Sequence, residues 1–434
     1  MCCQDVEKPS YRFTVLFFNC LLTFGSYYCF DMPSVMQDQM EKDYHCGNNT
    51  GNSTCCSDCL GMSPKEYNLL YAVYSWTNAF VVIGAGFLID KYGNQVGALF
   101  FSSLCVIGSC VFALGTHYRG TAYMIPLMLV GRLVFGAGNG SLTIVQNRIT
   151  SFCWYKIYIM DRCWSLWTGF ISALIVGLLD VHGFKKLGML DAINTQSKLV
   201  RISDVKHFSL SYWLLILSIM FFYNGVFPFV ADASKFISVK YHYDDNVSAY
   251  MAGAVYDVSL LLSPFLGGLI DIFGKRGILC IVCSVLTLPV FGLLAFSQAH
   301  PLISTTWLGI TYSVAAASMW PSIPLVVSQS TIGTAMGIAT SLQMIGIGFS
   351  NLIVGDILKV LNDKNLISWK YVMIYLLGNV IACIITSVFL NIDDYRKDGV
   401  LNISRKEAKK RDESSPIVNT DTEALVESLQ PIND

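Results

Sequence analysis

Charged side chains are scarce in this sequence: only 14% of its 434 residues are Asp, Glu, Lys or Arg, against 53% hydrophobic residues. The mean hydropathy is +0.51. A soluble protein of this length needs far more charged residues on its surface, so the composition excludes a soluble protein. It predicts an all-α, polytopic membrane protein whose main partner is the lipid bilayer.

Catalytic and cofactor motifs are missing as well. The six histidines are scattered, and no HExxH, GxSxG, P-loop or GxGxxG stands in a suitable context. The net charge is −1, and no basic patch is interleaved with aromatic residues. We therefore expect no enzyme activity, no cofactor, no metal site and no nucleic-acid partner.

One short pattern occurs twice, each time where one apolar run ends and the next begins. A glycine precedes an aspartate by four residues, and a second glycine follows by three. The pattern is typical of a tight cytosolic turn between membrane helices, and its repetition indicates an internal duplication. We interpret both turns as gates whose ion pairs hold the cytosolic side shut. The gating residues are Gly86, Asp90, Lys91 and Gly93 in the first copy and Gly267, Asp271, Gly274, Lys275 and Arg276 in the second.

The apolar runs divide the chain into two helix bundles. Residues 1–180 form the N-terminal bundle with five predicted spans, and residues 209–390 form the C-terminal bundle with six. A polar linker, 181–208, separates them. The charged tail, 391–434, is predicted to be disordered and cytosolic.

This count of eleven spans conflicts with the duplication. With the first turn in the cytosol, five crossings before the second turn would place that turn in the lumen. Either the fifth helix is missing near residues 151–164, or the short apolar segment 164–179 does not span. We favour a missing helix, as in an alternative transcript or a faulty gene model.

The first loop, 37–65, combines cysteines with glycosylation acceptors. The acceptors are Asn48 and Asn52. Together these features indicate an oxidising, lumenal or extracellular face. The spacing matches no familiar zinc-ligand pattern, so disulfides are favoured over a metal site, with their connectivity left open. The disulfide candidates are Cys46, Cys55, Cys56 and Cys59.

The duplicated turn, the two bundles around a central linker and the run from Gly131 to Gly138 together resemble the major facilitator superfamily of transporters. The resemblance covers nearly the whole chain and is closer to lysosomal dipeptide transporters of that superfamily. It implies two pseudo-symmetric bundles, alternating access and a place in the lysosomal membrane, with the plasma membrane as the alternative. It also implies a glycosylated single-span accessory partner.

One departure from the family opens the question of the solute. The relatives carry an acidic residue on the fourth helix where this chain has Gly140. The expected solute is a small peptide or amino-acid-like molecule, moved by uniport or with protons. A proton-coupled carrier of organic anions or sugars, and a non-transporting isoform or accessory subunit, are the alternatives.

Two charged residues inside predicted spans are candidates for the solute site. Arg132 and Asp257 lie at similar predicted depths, and charges within a span are functional hypotheses by default. Arg132 is predicted to hold a carboxylate and Asp257 a proton or an amino group, with a structural role for Arg132 as an equal alternative. Neutral residues suited to orienting a peptide in an apolar pocket are Tyr28, Tyr71, Trp76, Asn139, Asn147, Tyr223, Tyr256 and Trp320.

Overall fold

The computed structural model of the protein describes residues 9–41, 59–92, 94–154, 208–327, 332–363, 365–397, 399–404 and 407. The described part of the N-terminal half contains four long helices and one short one. They are α1 (Pro9–Val35), the short α2 (Gln37–Glu41), α3 (Pro64–Tyr92), α4 (Asn94–His117) and α5 (Met124–Trp154).

Within its described residues, the C-terminal half has six long helical elements, one of them broken, of which α6 is the first. They are α6 (Leu210–Tyr241), α7 (Asp245–Phe273), α8 (Arg276–Phe296), α9 (Pro301–Met319), a 3₁₀ turn (Trp320–Ser322) that leads into α10 (Ile323–Val326), α11 (Ile332–Leu361) and α12 (Leu366–Arg396). Among the described helices, six are long and apolar enough to cross a membrane: α4, α5, α6, α8, α11 and α12. The predicted all-α membrane fold is confirmed.

Local sequence explains where the helices begin and break. Ser63 and Glu66 form a capping box at the start of α3, in which the Ser63 N–H donates to Glu66 Oε2 over 2.8 Å and the Glu66 N–H donates to Ser63 Oγ over 3.3 Å. The 3₁₀ turn after α9 contains Pro321, which cannot supply the amide that a continuous α-helix needs. Trp320, at the start of this break, contacts Tyr223 of the helix Leu210–Tyr241.

Glycine contacts pull α4 and α5 together. A Cβ atom added to Gly108 would lie 2.4 Å from the Phe135 nitrogen, and one added to Gly131 would lie 2.6 Å from the Phe112 nitrogen. The two backbones therefore approach as in other membrane helix pairs with small residues at the interface. This close approach fixes the position of Arg132, which follows Gly131.

Contacts between distant helices fix the direction of each helix. Lys235, near the end of α6, pairs with Glu41 at the end of α2 and with Asp363 after α11. The C-terminal ends of α1, α6 and α11 therefore share one side. We call it the lumenal side, because it carries the loop with the predicted glycosylation sites.

The two duplicated turns lie on the opposite, cytosolic side. Both α3 and α7 start on the lumenal side, so their ends at Tyr92 and Phe273 lie together across the bundle. Both the end of α5 and the start of α6 are also cytosolic. A single crossing between α5 and α6 is not compatible with this arrangement. The proposed loss of the fifth helix and the segment 164–179 fall outside the described residues.

The two halves meet along a seam formed by α1 and α3 on one side and α6 and α11 on the other. Trp76 of α3 packs against Phe349 of α11, with ring centroids 5.3 Å apart. The Ser341 hydroxyl of α11 donates to the Ala79 carbonyl over 2.8 Å. Towards the lumen, Lys65 and Asp356 form an ion pair of 2.7 Å. The seam is thus closed from its middle to its lumenal end.

The C-terminal boundary differs from the sequence-based prediction. α12 continues to Arg396, beyond the predicted end at 390, and residues 399–404 return to the second turn. The Arg276 N–H donates to the Leu401 carbonyl over 3.0 Å, and Asn402 bonds to Asp394 over 3.1 Å. These hydrogen bonds order a polar stretch whose composition alone suggested disorder.

Candidate substrate-binding site

Arg132 of α5 is buried in the N-terminal half and surrounded by aromatic rings. Its side chain is 3% exposed. The guanidinium carbon lies 4.9 Å from the ring centroid of Phe112, 5.5 Å from that of Tyr71 and 5.9 Å from that of Phe135. Aromatic faces attract such a cation and partly offset its removal from water.

Two nitrogens of this guanidinium have no hydrogen-bond partner among the described residues. They are Nε and Nη2 of Arg132, both buried. Leaving charged donors unpaired in a low-dielectric site is costly. A planar carboxylate presents the two acceptors that this edge of the guanidinium requires.

Asp31 of α1 supplies the opposite charge. It lies close enough to Arg132 for the two groups to attract each other. Its Oδ1 accepts a long hydrogen bond of 3.4 Å from the hydroxyl of Tyr256, which belongs to α7 in the other half. The charged pair therefore lies at the seam, in contact with both halves of the protein.

The C-terminal half contributes an aromatic wall. Tyr223 stacks on Phe227 with centroids 5.4 Å apart. The Trp320 Nε1–H donates to the Tyr223 hydroxyl over 2.9 Å, which uses the position left by the helix break. Tyr312 packs edge-on against both Tyr223 and Tyr256. This wall can accept apolar groups, while its tyrosine hydroxyls bond to neighbouring residues of the wall.

A neutral polar layer lies next to Arg132 on α5. Asn139 donates through Nδ2 to the Tyr74 hydroxyl over 2.7 Å, while its own Oδ1 has no partner among the described residues. Tyr27 and Thr143 share a hydrogen bond of 3.3 Å. The sequence predicted Asn139 but not this set of partners.

Little room is left at the seam in this conformation. The cavity beside Asp31, Tyr71, Phe227, Tyr256 and Asn351 has a volume of about 10 Å³. That volume suits a single water molecule. A peptide can therefore enter only if the two halves separate.

The predicted site residues fall into three groups. Arg132, Tyr71, Trp76, Asn139, Tyr223, Tyr256 and Trp320 all lie at or beside the seam. Tyr28 is 59% exposed, and Asp257 is exposed with no hydrogen bond or ion pair to the described residues. The side chain of Asn147 lies outside the described residues.

Asp31 was not predicted, although the sequence carried a signal for it. The apolar run that predicts the first helix ends at about Phe30, so Asp31 was not considered as a charge within a span. In the structure α1 continues to Val35, which places Asp31 within the helix. In the structure Asp31 lies near Arg132, whereas Asp257, the other charged residue expected to line the cavity, is on the exposed face of α7.

The gating residues are only partly visible. Gly93 and the side chains of Gly86, Asp90, Lys91 and Asp271 lie outside the described residues. Gly274 has φ of 67°, and an added Cβ would lie 2.1 Å from the Ile403 carbonyl oxygen. Arg276 Nη1 donates to the Pro321 carbonyl over 2.8 Å. At Gly267, where we expected a close helix contact, a Cβ would meet no described atom within 4 Å.

The lumenal cysteines agree with the disulfide prediction where they are visible. Cys59 is disulfide-bonded and fully buried. Cys46, Cys55 and Cys56, and the acceptors Asn48 and Asn52, lie outside the described residues. No cluster of three or more potential metal ligands occurs in the described part of the chain.

Comparison with known proteins identifies the class. The Major Facilitator Superfamily sequence profile matches residues 16–154. The proton:xylose symporter XylE has a similar structure, with a TM-score of 0.61, 13% identity and coverage of 89% of this chain and 96% of XylE. The nucleoside transporter NupG gives a TM-score of 0.52, 13% identity and coverage of 88% and 98%. The chain therefore has the major facilitator superfamily fold.

Sequence similarity gives a closer resemblance within that class. The lysosomal dipeptide transporter MFSD1 of Homo sapiens is 29% identical, over 93% of this chain and 90% of the relative. The protein of the same name from Danio rerio is 27% identical, over 94% and 92%. The chain thus resembles lysosomal dipeptide transporters over nearly its whole length.

Proposed function

We propose that this chain is a secondary transporter that moves dipeptides or amino-acid-like solutes across the lysosomal membrane by alternating access. The fold and the resemblance to MFSD1 support this function and this membrane. The observation that carries the proposal is the charged pair at the seam, formed by the buried Arg132 and the half-buried Asp31.

The chemistry of this pair fits a zwitterion. The free guanidinium nitrogens of Arg132 donate to the solute's carboxylate, and the Asp31 carboxylate accepts from its ammonium group. The aromatic wall of Tyr223, Phe227 and Tyr312 receives the side chains. Few polar groups fix the orientation, so the site accepts solutes with different side chains.

The position of the pair at the seam explains how access alternates. Asp31 belongs to one half and its hydrogen-bond donor Tyr256 to the other, so a solute bound there contacts both halves. In the present conformation the lumenal end of the seam is closed by the Lys65–Asp356 and Lys235–Glu41 pairs. Rocking of the two bundles about the seam breaks these contacts and opens the site to the lumen.

The proposal also covers the bilayer, the accessory protein and the glycans around the transporter. The bilayer covers the exposed apolar faces of both bundles. A glycosylated single-span accessory protein at the lumenal face, and glycans on Asn48 and Asn52, belong to the proposal. They can be checked by co-purification from lysosomal membranes and by deglycosylation.

Counterflow in proteoliposomes tests the function. Vesicles preloaded with an unlabelled dipeptide should take up the radiolabelled one, and N-acetylated or C-amidated dipeptides should compete poorly. In Asp31→Asn, N-acetylated dipeptides should compete as well as unmodified ones. In Arg132→Gln, the same should hold for C-amidated dipeptides. Each should lower uptake about 10- to 100-fold, the range of a charge-assisted hydrogen bond.

The exposed cation Lys359 of α11 supplies the matched control. Lys359→Gln changes charge by the same amount as Arg132→Gln without touching the seam, and it should transport normally. Absence of counterflow with every dipeptide by the folded wild-type protein would contradict the proposed function. If Asp31→Asn still rejects N-acetylated dipeptides and Arg132→Gln still rejects C-amidated ones, the proposed roles of Asp31 and Arg132 are wrong.

A further inference from the structure

A buried carboxylate that does not line the solute cavity lies at the lumenal end of the seam. Asp232 of α6 is 1% exposed. Its Oδ1 accepts hydrogen bonds from Gln37 Nε2 of α2 over 2.5 Å and from Asn68 Nδ2 of α3 over 3.4 Å. One carboxylate of the C-terminal half thus holds two amides of the N-terminal half.

Three oxygen atoms in this cluster have no partner among the described residues. They are Oδ2 of Asp232, Oε1 of Gln37 and Oδ1 of Asn68, all buried. The two amides bond to the carboxylate through their nitrogens, and the two partnerless amide oxygens belong to these same side chains. Buried oxygens normally accept at least one hydrogen bond. This cluster has three oxygens without a donor and no unused N–H group, so it is short of a hydrogen-bond donor.

The cation that could balance Asp232 is already in use. Lys235, one turn further along α6, pairs with both Glu41 and Asp363. Glu41 also accepts from Gln37 Nε2 over 3.0 Å, and Asp363 repels Asp232 electrostatically. The remaining titratable groups that face Asp232 are the neutral phenols of Tyr67 and Tyr71 on α3. Two acids compete for one lysine, and Asp232 is left without a cation among the described residues.

We infer that Asp232 is a proton-binding site that closes the lumenal side of the seam. A proton on Oδ2 comes from lumenal water, neutralises the carboxylate and supplies the missing donor to an amide oxygen of Gln37 or Asn68. When the halves separate, Asp232 is hydrated, loses the proton to the lumen and ionises. The inference needs only alternating access and holds whatever the solute.

The direction of the pH effect follows from this linkage. The lumen-closed state binds one more proton than the lumen-open state, so acid favours closure. In the pH window between the two proton affinities, the ratio of closed to open protein rises about tenfold for each unit that the pH falls. An acidic lumen would thus drive the empty or loaded carrier towards the cytosol.

Distance measurements on the full-length protein in nanodiscs test this inference without any solute. Spin labels on non-natural amino acids at Tyr118 and Val360, both exposed at the lumenal ends of α4 and α11, leave the fifteen native cysteines in place. The wild-type protein should shift from long to short distances as the pH falls. Asp232→Asn, which imitates the protonated form, should stay closed at every pH.

Asp244→Asn is the control, since Asp244 is exposed before α7 on the lumenal side and its side chain makes no capping hydrogen bond. It should keep the pH dependence of the wild-type protein. If Asp232→Asn does not accumulate, infrared spectra of the wild-type protein at acid and neutral pH should still show a protonated carboxyl band when the distances are short. A pH-independent wild type, a pH response retained in Asp232→Asn, or closure that follows sodium instead of pH would each overturn the inference.

Discussion

Gly140 of α5 leaves a gap that the side chain of Asn78 of α3 fills. A Cβ atom added to Gly140 would lie 1.6 Å from Asn78 Oδ1. Asn78 is 2% exposed, and that oxygen has no partner among the described residues. A neutral amide oxygen of α3 therefore takes the space that a side chain at position 140 would need.

This contact predicts coupled effects of substitution. Gly140→Ala should destabilise the protein by about 1–3 kcal/mol, because Asn78 is forced out of a packed site. In the double variant Asn78→Ala/Gly140→Ala the loss should be smaller than the sum of the single losses. Thermal unfolding in detergent measures all three. Additive losses would show that the two residues do not share this gap.

The lumenal ion pairs predict that Lys235 holds the seam shut. Lys235→Met leaves Glu41 and Asp363 buried without a cation, which costs about 3–5 kcal/mol for a buried pair. The protein should therefore populate the lumen-open state. A cysteine at Ser34, beside the solute cavity, should react faster with an impermeant thiol reagent from the lumenal side.

Two controls make this measurement specific. Lys359→Met makes the same substitution at an exposed site and should leave the labelling rate unchanged. The chain without the Ser34→Cys substitution gives the background of the native cysteines. An unchanged rate in Lys235→Met would mean that the lysine does not contribute to closure.

The second duplicated turn and the segment that returns to it each contain a glycine with positive φ. Gly274 and Gly399 both have φ of 67°, but only Gly274 faces a carbonyl, with 2.1 Å between the built Cβ and Ile403 oxygen. Gly399→Ala should cost about 1–2 kcal/mol, the price of the left-handed backbone. Gly274→Ala should cost a further 1–3 kcal/mol or so, because residues 399–404 must leave the turn. Equal unfolding temperatures of the two variants would contradict this packing.

Sequence reasoning found the parts of the site that stand out inside apolar runs. Arg132 was recognised because a charge within a span needs an explanation, and the glycines beside it indicated close helix packing. Asp31 and Asp232 were missed because each lies just beyond the predicted end of its apolar run, at Phe30 and Val230. Their partners, such as Gln37 for Asp232, are 195 residues away and follow only from the folded bundle.

The sidedness of the C-terminal half is the last prediction. Asn246 is exposed in the first turn of α7, next to the lumenal end of α6. From there α7, α8, the α9–α10 element, α11 and α12 alternate across the bilayer, so α12 ends in the cytosol. An epitope after Asp434 should therefore be digested by protease added to intact lysosomes. An epitope in the loop between α8 and α9, at residues 297–300, should be protected until detergent is added.

Glycosylation gives an independent reading of the same topology. A glycan on Asn246, removed by Asn246→Gln, requires that the start of α7 faces the lumen. The eleven-span arrangement predicts the opposite results: the C-terminal epitope is protected from protease, and Asn246 carries no glycan. Because the Lys235–Glu41 pair joins the end of α6 to the end of α2, that result would also mean that this ion pair does not form.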